Sequence, residues 1–226
     1  MKKLFIVLAA VTLCVPAAAL GGKPAKKPSP RASVLAAKNA AWACKALRIR
    51  MGAQAFVATY GANRRAHGNG AMRNAFGKCV SQQVRLIRRA GLFEPATGTL
   101  TVTPAAAPST IESVTVTGTI SGGRPIASGT LAGTLSVNLA SARSKHGVTC
   151  APATGTLTLT QASPAGTLQK TLTSATFCKG AAGSALVGRY SLTGTGAFAG
   201  KTGTGTELLL APATGSAHSV EAGSIG

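Results

Sequence analysis

Only a few side chains in this sequence could do chemistry: 4 Asp+Glu, 3 His, 5 Cys and 24 Lys+Arg among 226 residues. Acid–base hydrolysis requires two carboxylates held at a defined separation. Glu94, Glu112, Glu207 and Glu221 are scattered, and no local spacing joins any two of them. His67 stands in a Gly/Asn-rich turn, His146 in a predicted loop and His218 in a small, polar C-terminal stretch. Each therefore reads as a solvated loop histidine. No HExxH, GxSxG, P-loop or dinucleotide-binding fingerprint occurs. No cysteine has another Cys or His at the close spacing that zinc sites use. The expectation is a chain with no catalytic residue, no metal site and no cofactor. Lys170 is conspicuous within this inventory. It shares the alternation phase of Leu168 and Leu172, which would turn its ammonium toward a core. A bulge or strand-end position that lets the charge reach water is the expected resolution.

The cysteines speak to compartment. Lys2 and Lys3 precede an apolar run from Leu4 to Val15, followed by Pro16 and then Ala17, Ala18 and Ala19. This is the pattern of a cleaved signal peptide over residues 1–19, and the run is shorter than the ~20 residues a membrane-spanning helix needs. Cys14 follows Leu13 rather than a small residue, so it is expected to leave with the leader instead of carrying lipid. Cys44, Cys79, Cys150 and Cys178 remain, an even number that allows three disulfide connectivities. The first two share one compositional zone and the last two another, so Cys44–Cys79 and Cys150–Cys178 is the simplest pairing. Each ring of roughly 30 residues would stabilise the fold by about 3–4 kcal/mol. A secreted protein, extracellular or associated with the cell envelope, is the expected localisation.

Charge supplies the remaining candidate site. The net charge is +20, which makes polyanions the natural partners. Half of the Lys and Arg lie in residues 31–91, which contain no acidic residue. A predicted helix over about 71–90 gathers Phe76, Cys79, Val80, Gln83, Ile87 and Ala90 on one side and Lys78, Arg85, Arg88 and Arg89 on the other. Arg85, Arg88 and Arg89, flanked by Lys78 and extended by Arg64, Arg65 and Arg73, form the candidate polyanion contact. An anionic envelope polymer or anionic membrane surface is the expected partner, with nucleic acid bound only nonspecifically.

The elements that must position these residues divide the chain. Residues 20–30 read as a disordered Lys/Pro-rich linker and 31–91 as a basic helical module. Its first helix starts near Ser33 and ends about Met51; a short second one carries Phe56, Val57 and Tyr60. A boundary falls between Gly91 and Thr97. Beyond it, strictly alternating segments such as TLTVT and GTLTLT predict strands at 99–103, 113–120, 126–131, 133–139, 155–160, 168–178, 185–193 and 203–210. No helical crossover separates them, so the sheet is antiparallel. The predicted architecture is α+β: a helical module, then an all-β antiparallel barrel of about eight strands over 97–210, with a β-sandwich as the alternative. Leu and Val dominate the inward set, which favours a barrel filled by its own side chains. The phrase PATG recurs at 95–98, 152–155 and 212–215 and reads as turn chemistry, and residues 211–226 read as a flexible tail.

Two segments resemble known sequences. GRYSLTGTGAFAGKTGTGT, residues 188–206, carries Tyr190, Gly194, Phe198, Gly200, Thr202, Gly203 and Gly205. With VTCAPATGTLTLT and Cys178, it resembles secreted bacterial proteins with allene-oxide-cyclase-like or dirigent-like barrels. The resemblance implies an eight-stranded barrel; no catalytic residue of that cyclase can be matched here. YGANRRAHGNGAMRNAFGKCVSQ, residues 60–82, resembles a short Cys-containing helical module of uncharacterised exported actinobacterial proteins, through the phrase NAFGKCVS. That likeness supports the Cys44–Cys79 pair. The functional expectation is a non-enzymatic secreted or envelope-associated binding or structural protein whose basic module contacts an anionic surface. Lipocalin-like binding of a small apolar ligand in the barrel is the alternative, and a cyclase-like barrel enzyme a third.

Overall fold

The computed structural model describes residues 30–61, 68–145 and 147–226. The expected signal peptide, most of the expected linker, and Arg64, Arg65, His67 and His146 lie outside the described residues. Three helices come first: α1 (Pro30–Met51), α2 (Ala53–Tyr60) and α3 (Gly68–Arg89). Nine strands follow: β1 (Leu92–Thr103), β2 (Ile111–Ser121), β3 (Ser128–Asn138), β4 (Arg143–Lys145), β5 (Val148–Gln161), β6 (Gly166–Gly180), β7 (Gly183–Gly196), β8 (Thr202–Pro212) and β9 (Ala217–Ile225).

The strand order is β3-β2-β1-β9-β8-β7-β6-β5-β4, and a further β3–β5 pairing joins the ends. Eight strands thus close into an antiparallel barrel, and β4 is an extra ribbon on the end of β5. The expected α+β architecture is present and the sandwich is not. The expected strand count was reached through two errors that cancelled. The segments expected at 126–131 and 133–139 overlap a single strand, β3, and the supposed tail at 211–226 contains β9. The barrel accordingly runs from Leu92 to Ile225 rather than over 97–210. Of the three PATG copies only the last lies in a turn; the others sit inside β1 and β5.

Alternation builds the lumen. Val114, Val116, Leu131, Leu135, Leu157, Leu159, Leu168 and Leu192 are buried in one core with Tyr190 and Phe177, while the intervening threonines mostly face out. The strands β7, β8 and β9 break this pattern because a helix covers their outer face. Leu209 points into the lumen core, whereas Leu208 packs with Ala43 and Val187, and Leu210 with Ala46 and Ala185. A strand buried on both faces reads as a continuous apolar run, which is the origin of Leu208-Leu209-Leu210. Alanines at 36, 40, 43 and 46 let α1 approach the sheet closely.

The helices are tied together by Cys44–Cys79, with Cα atoms 6.0 Å apart, in a cluster with Phe56 and Ala75. Cys150–Cys178 joins directly opposed residues of β5 and β6. Both expected pairings are present. The two units pack against each other: Ile87 of α3 and Ala36 and Ala40 of α1 share a core with Phe93 and Val220 of the barrel. Trp42 stacks on His218 with ring centroids 3.8 Å apart. Burial first, and then the positive charges of Lys38 and Lys45, hold the His218 imidazole below its ordinary range. His218 is therefore part of the helix–barrel joint rather than a solvated tail residue.

Candidate functional site

Three of the four acidic residues that look scattered along the sequence converge in space. Glu94 on β1 is paired in register with Glu221 on β9, and Glu221 with Glu207 on β8. Three glutamates therefore form one cross-strand row on the lumen wall, all of them buried. Like charges directly opposed in a sheet repel, so such a row needs a counterion or protons. Lys170, on β6, supplies the counterion. Its Nζ lies 2.5 Å from Glu207 Oε2 and 2.6 Å from Glu221 Oε2, with all three side chains fully buried. The bulge in β6 falls between Leu172 and Ser174, beyond Lys170. It does not release the ammonium to water, and the snorkelling expected from the sequence does not occur.

The remaining groups complete the cluster. The Ser219 hydroxyl donates to Glu207 Oε1. Glu94 Oε1 accepts the Ile126 backbone N–H at 2.7 Å, and Glu94 Oε2 has no hydrogen-bond partner. Glu221 touches Lys170 as an ion pair, yet neither of its oxygens meets hydrogen-bond geometry. Tyr190 lies with its ring 5.6 Å from Lys170 Nζ, and its hydroxyl is buried without a partner. Glycines make the room. A Cβ on Gly205 would sit 2.3 Å from the Tyr190 hydroxyl, and one on Gly123 1.8 Å from Glu94 Oε2.

Electrostatics follow from burial. Loss of hydration pushes Glu94 up to about 8, against the Ile126 hydrogen bond that favours its charge. Glu221 is pushed up to about 7 by burial, with Lys170 opposing and Glu207 reinforcing the shift. Burial works against the charge of Lys170, but Glu207 and Glu221 outweigh it and hold the ammonium above the ordinary lysine range. Tyr190 is pushed upward by burial and then by the three glutamates, so it stays a neutral phenol. The cluster thus sets an ammonium against buried carboxyls, of which burial favours the neutral form of Glu94 and Glu221.

The cluster has little free space around it. Leu, Val and Phe side chains fill the lumen, and a gap of about 10 Å³ beside Ser219 and Leu209 has room for about one water. A separate hollow of about 580 Å³, open to solvent, is lined by Leu192, Thr202, Gly203 and Ile225 and includes none of the charged cluster. No group of His, Cys, Asp and Glu suited to a metal ion occurs among the described residues.

The predicted basic face is distributed as follows. Arg85, Arg88 and Arg89 are exposed on α3, and Lys78 is half-buried. At about 100° per residue, Lys78, Arg85 and Arg89 fall within ~40° of one another, with Arg88 about 80° away. Arg73 lies in α3 but outside the residues whose side chains are described. On α1, Lys38, Lys45, Arg48 and Arg50 are also exposed. Lys45 sits over the Trp42 ring at 4.1 Å.

Sequence reasoning missed the glutamate row because its members are distant in the chain and only the closed barrel aligns them. One signal was available: Glu207 shares the alternation phase of Leu209, as Lys170 shares that of Leu168. Comparison of the chain with protein-family models, curated proteins and solved structures gave no match. The structure shows a three-helix layer on an eight-stranded antiparallel barrel with two disulfides, and no described helix is long and apolar enough to cross a membrane.

Proposed function

We propose that the protein is an exported, envelope-associated binding protein whose helical layer contacts an anionic polymer or anionic lipid surface. The observation that carries this reading is the segregation of charge. Glu94, Glu207 and Glu221 are sealed in the lumen, leaving Glu112, half-buried near the start of β2, as the remaining side-chain carboxylate. Exposed Lys and Arg on α1 and α3 therefore face solvent with almost no opposing charge nearby. Such a field reaches roughly 8–10 Å at physiological ionic strength, and Arg forks suit phosphate groups. Two disulfides and the leader-like start of the sequence support an oxidising, extracellular setting. The likeness of residues 188–206 to dirigent-like barrels supports a scaffold role for the barrel, and its filled lumen supports binding on the outside.

The test compares wild type with an Arg85/Arg88/Arg89→Ala variant on anionic wall polymer, anionic vesicles and a sulfated resin across a salt series. Wild type is expected to elute progressively as salt rises, and the variant to elute at lower salt. Equal retention of the two proteins, or retention indifferent to salt, would overturn the assignment.

A further inference from the structure

Lys170, Glu207, Glu221 and Ser219 come from strands β6, β8 and β9 and meet where no water shell surrounds them. Simple charge neutralisation accounts poorly for the arrangement. A buried ion pair gains little over apolar packing, and a second carboxylate on one ammonium adds repulsion. The set does match the parts that an amide condensation requires. Those parts are an amine, a carboxyl carbon within reach, a donor on the carboxyl oxygen and a neighbouring acid to carry protons. We propose that Lys170 and Glu207 are joined by an intramolecular amide bond that the folded barrel forms by itself.

The geometry assigns each role. Nζ lies 2.5 Å from Glu207 Oε2, so the carboxyl carbon, one C–O bond further on, is within about 4 Å of the nitrogen, close to the roughly 3–3.5 Å that attack requires. The Ser219 hydroxyl donates to the other oxygen, Oε1, where negative charge grows as the carbon becomes tetrahedral. Glu221 Oε2, 2.6 Å from Nζ, is placed to relay protons. The reaction begins from the ammonium of Lys170, the carboxylate of Glu207 and the protonated carboxyl of Glu221. Proton transfer inside the cluster gives a neutral amine and a neutral Glu207 carboxyl. The nitrogen lone pair then bonds to Cδ, the Glu221 carboxyl gives its proton to the departing hydroxyl as it takes one from nitrogen, and the C–O bond breaks. One amide and one water are formed, Glu221 is regenerated, and no oxidant, metal or cofactor enters.

The surroundings favour the product. Condensation is opposed in bulk water, but here the reactants are held together and water is excluded, conditions under which effective concentrations reach about 10⁵ M or more. Replacing a buried ammonium and carboxylate by a neutral amide also removes their desolvation cost. Glu221 is pushed up to about 7 by burial and Glu207, which keeps a proton available for the relay.

Intact-mass measurement of the purified full chain, denatured and reduced, provides the test. Wild type is expected about 18 Da, one water, below the mass of its processed sequence, and digestion should yield a branched peptide linking Lys170 to Glu207. Lys170→Arg is expected at full mass. Glu207→Gln should lose about 17 Da, one ammonia, because the same attack then expels a different leaving group. Glu221→Gln should accumulate uncrosslinked chain. These masses are read on unfolded material, so a variant of reduced stability still reports. Wild type at its full mass would overturn the proposal, as would a branch mapped to Glu221 or an unchanged deficit in Lys170→Arg.

Discussion

The lumen of the barrel and the helical layer above it handle charge in opposite ways. Inside, two of three aligned glutamates share one lysine, every group is buried, and position is fixed by strand register. Outside, Lys38, Lys45, Arg48, Arg50, Arg85, Arg88 and Arg89 are exposed on two helices whose span contains no acid. Inside, each charge depends on its neighbours, and removing one leaves another unpaired in a low dielectric. Outside, the cations are exposed to solvent, and Lys45 also lies over the Trp42 ring. The same residue types are thus sealed into the structure in one region and turned to solvent in the other.

That contrast is broken most sharply at Lys170. Lys170→Met leaves Glu207 and Glu221 facing one another without a cation, and a loss of about 3–5 kcal/mol in urea unfolding is expected. A loss below ~1 kcal/mol would mean that the lumen cluster is as weakly coupled as the surface.

The joint between the regions comes next. Replacing both Cys44 and Cys79 by Ser should cost about 3–4 kcal/mol through release of the ring between α1 and α3. Protease sensitivity is expected to appear first within residues 30–89, with the β-sheet circular dichroism signal retained. Simultaneous collapse of both signals would show that the barrel depends on its helical cover.

The pH dependence sharpens the comparison further. Glu94 at about 8 and Glu221 at about 7 bind protons more tightly in the folded protein than at the ordinary 4.5. Their contribution to stability is therefore fully present below about pH 4.5 and is lost as pH rises through 7 and 8. Thermal denaturation between pH 5 and 9 should show stability falling by on the order of 2–3 kcal/mol, and Glu94→Gln should flatten the slope. A stability that rises across this range would contradict a lumen that favours protonated carboxyls.

The smallest effect is expected at the surface. Arg85→Ala should change stability by no more than about 0.5 kcal/mol, measured by the same urea titration, whatever it does to polyanion retention.

Much of the scaffold was legible because its physics is local. Alternation at 113–120 and 155–160, the apolar stripe of α3 and the compositional zones of the cysteines each follow from neighbouring residues. Strand β9 was not legible. Ser219, Glu221 and Gly223 occupy its lumen side, so the expected apolar phase is inverted and the segment resembles a polar tail. The partnership of Glu94, Glu207 and Glu221 was hidden for a related reason: it exists only once β9 lies between β1 and β8. Lys170 showed its inward phase in the sequence, but its compensation lay in that unread strand.

The place of β9 has a consequence for how the chain matures. It is last in chain order yet central in the sheet, hydrogen-bonded to the first strand on one side and the penultimate on the other. A polypeptide synthesised N-terminus first presents β1 through β8 as an open ribbon with two unsatisfied edges. Closure then waits on contacts of very large sequence separation, which form slowly. Until β9 docks, Lys170 lacks one of its two acids and Trp42 lacks His218. The segment that looked expendable in the sequence is thus the latch of the barrel, the strand whose docking turns an open ribbon into a closed wall.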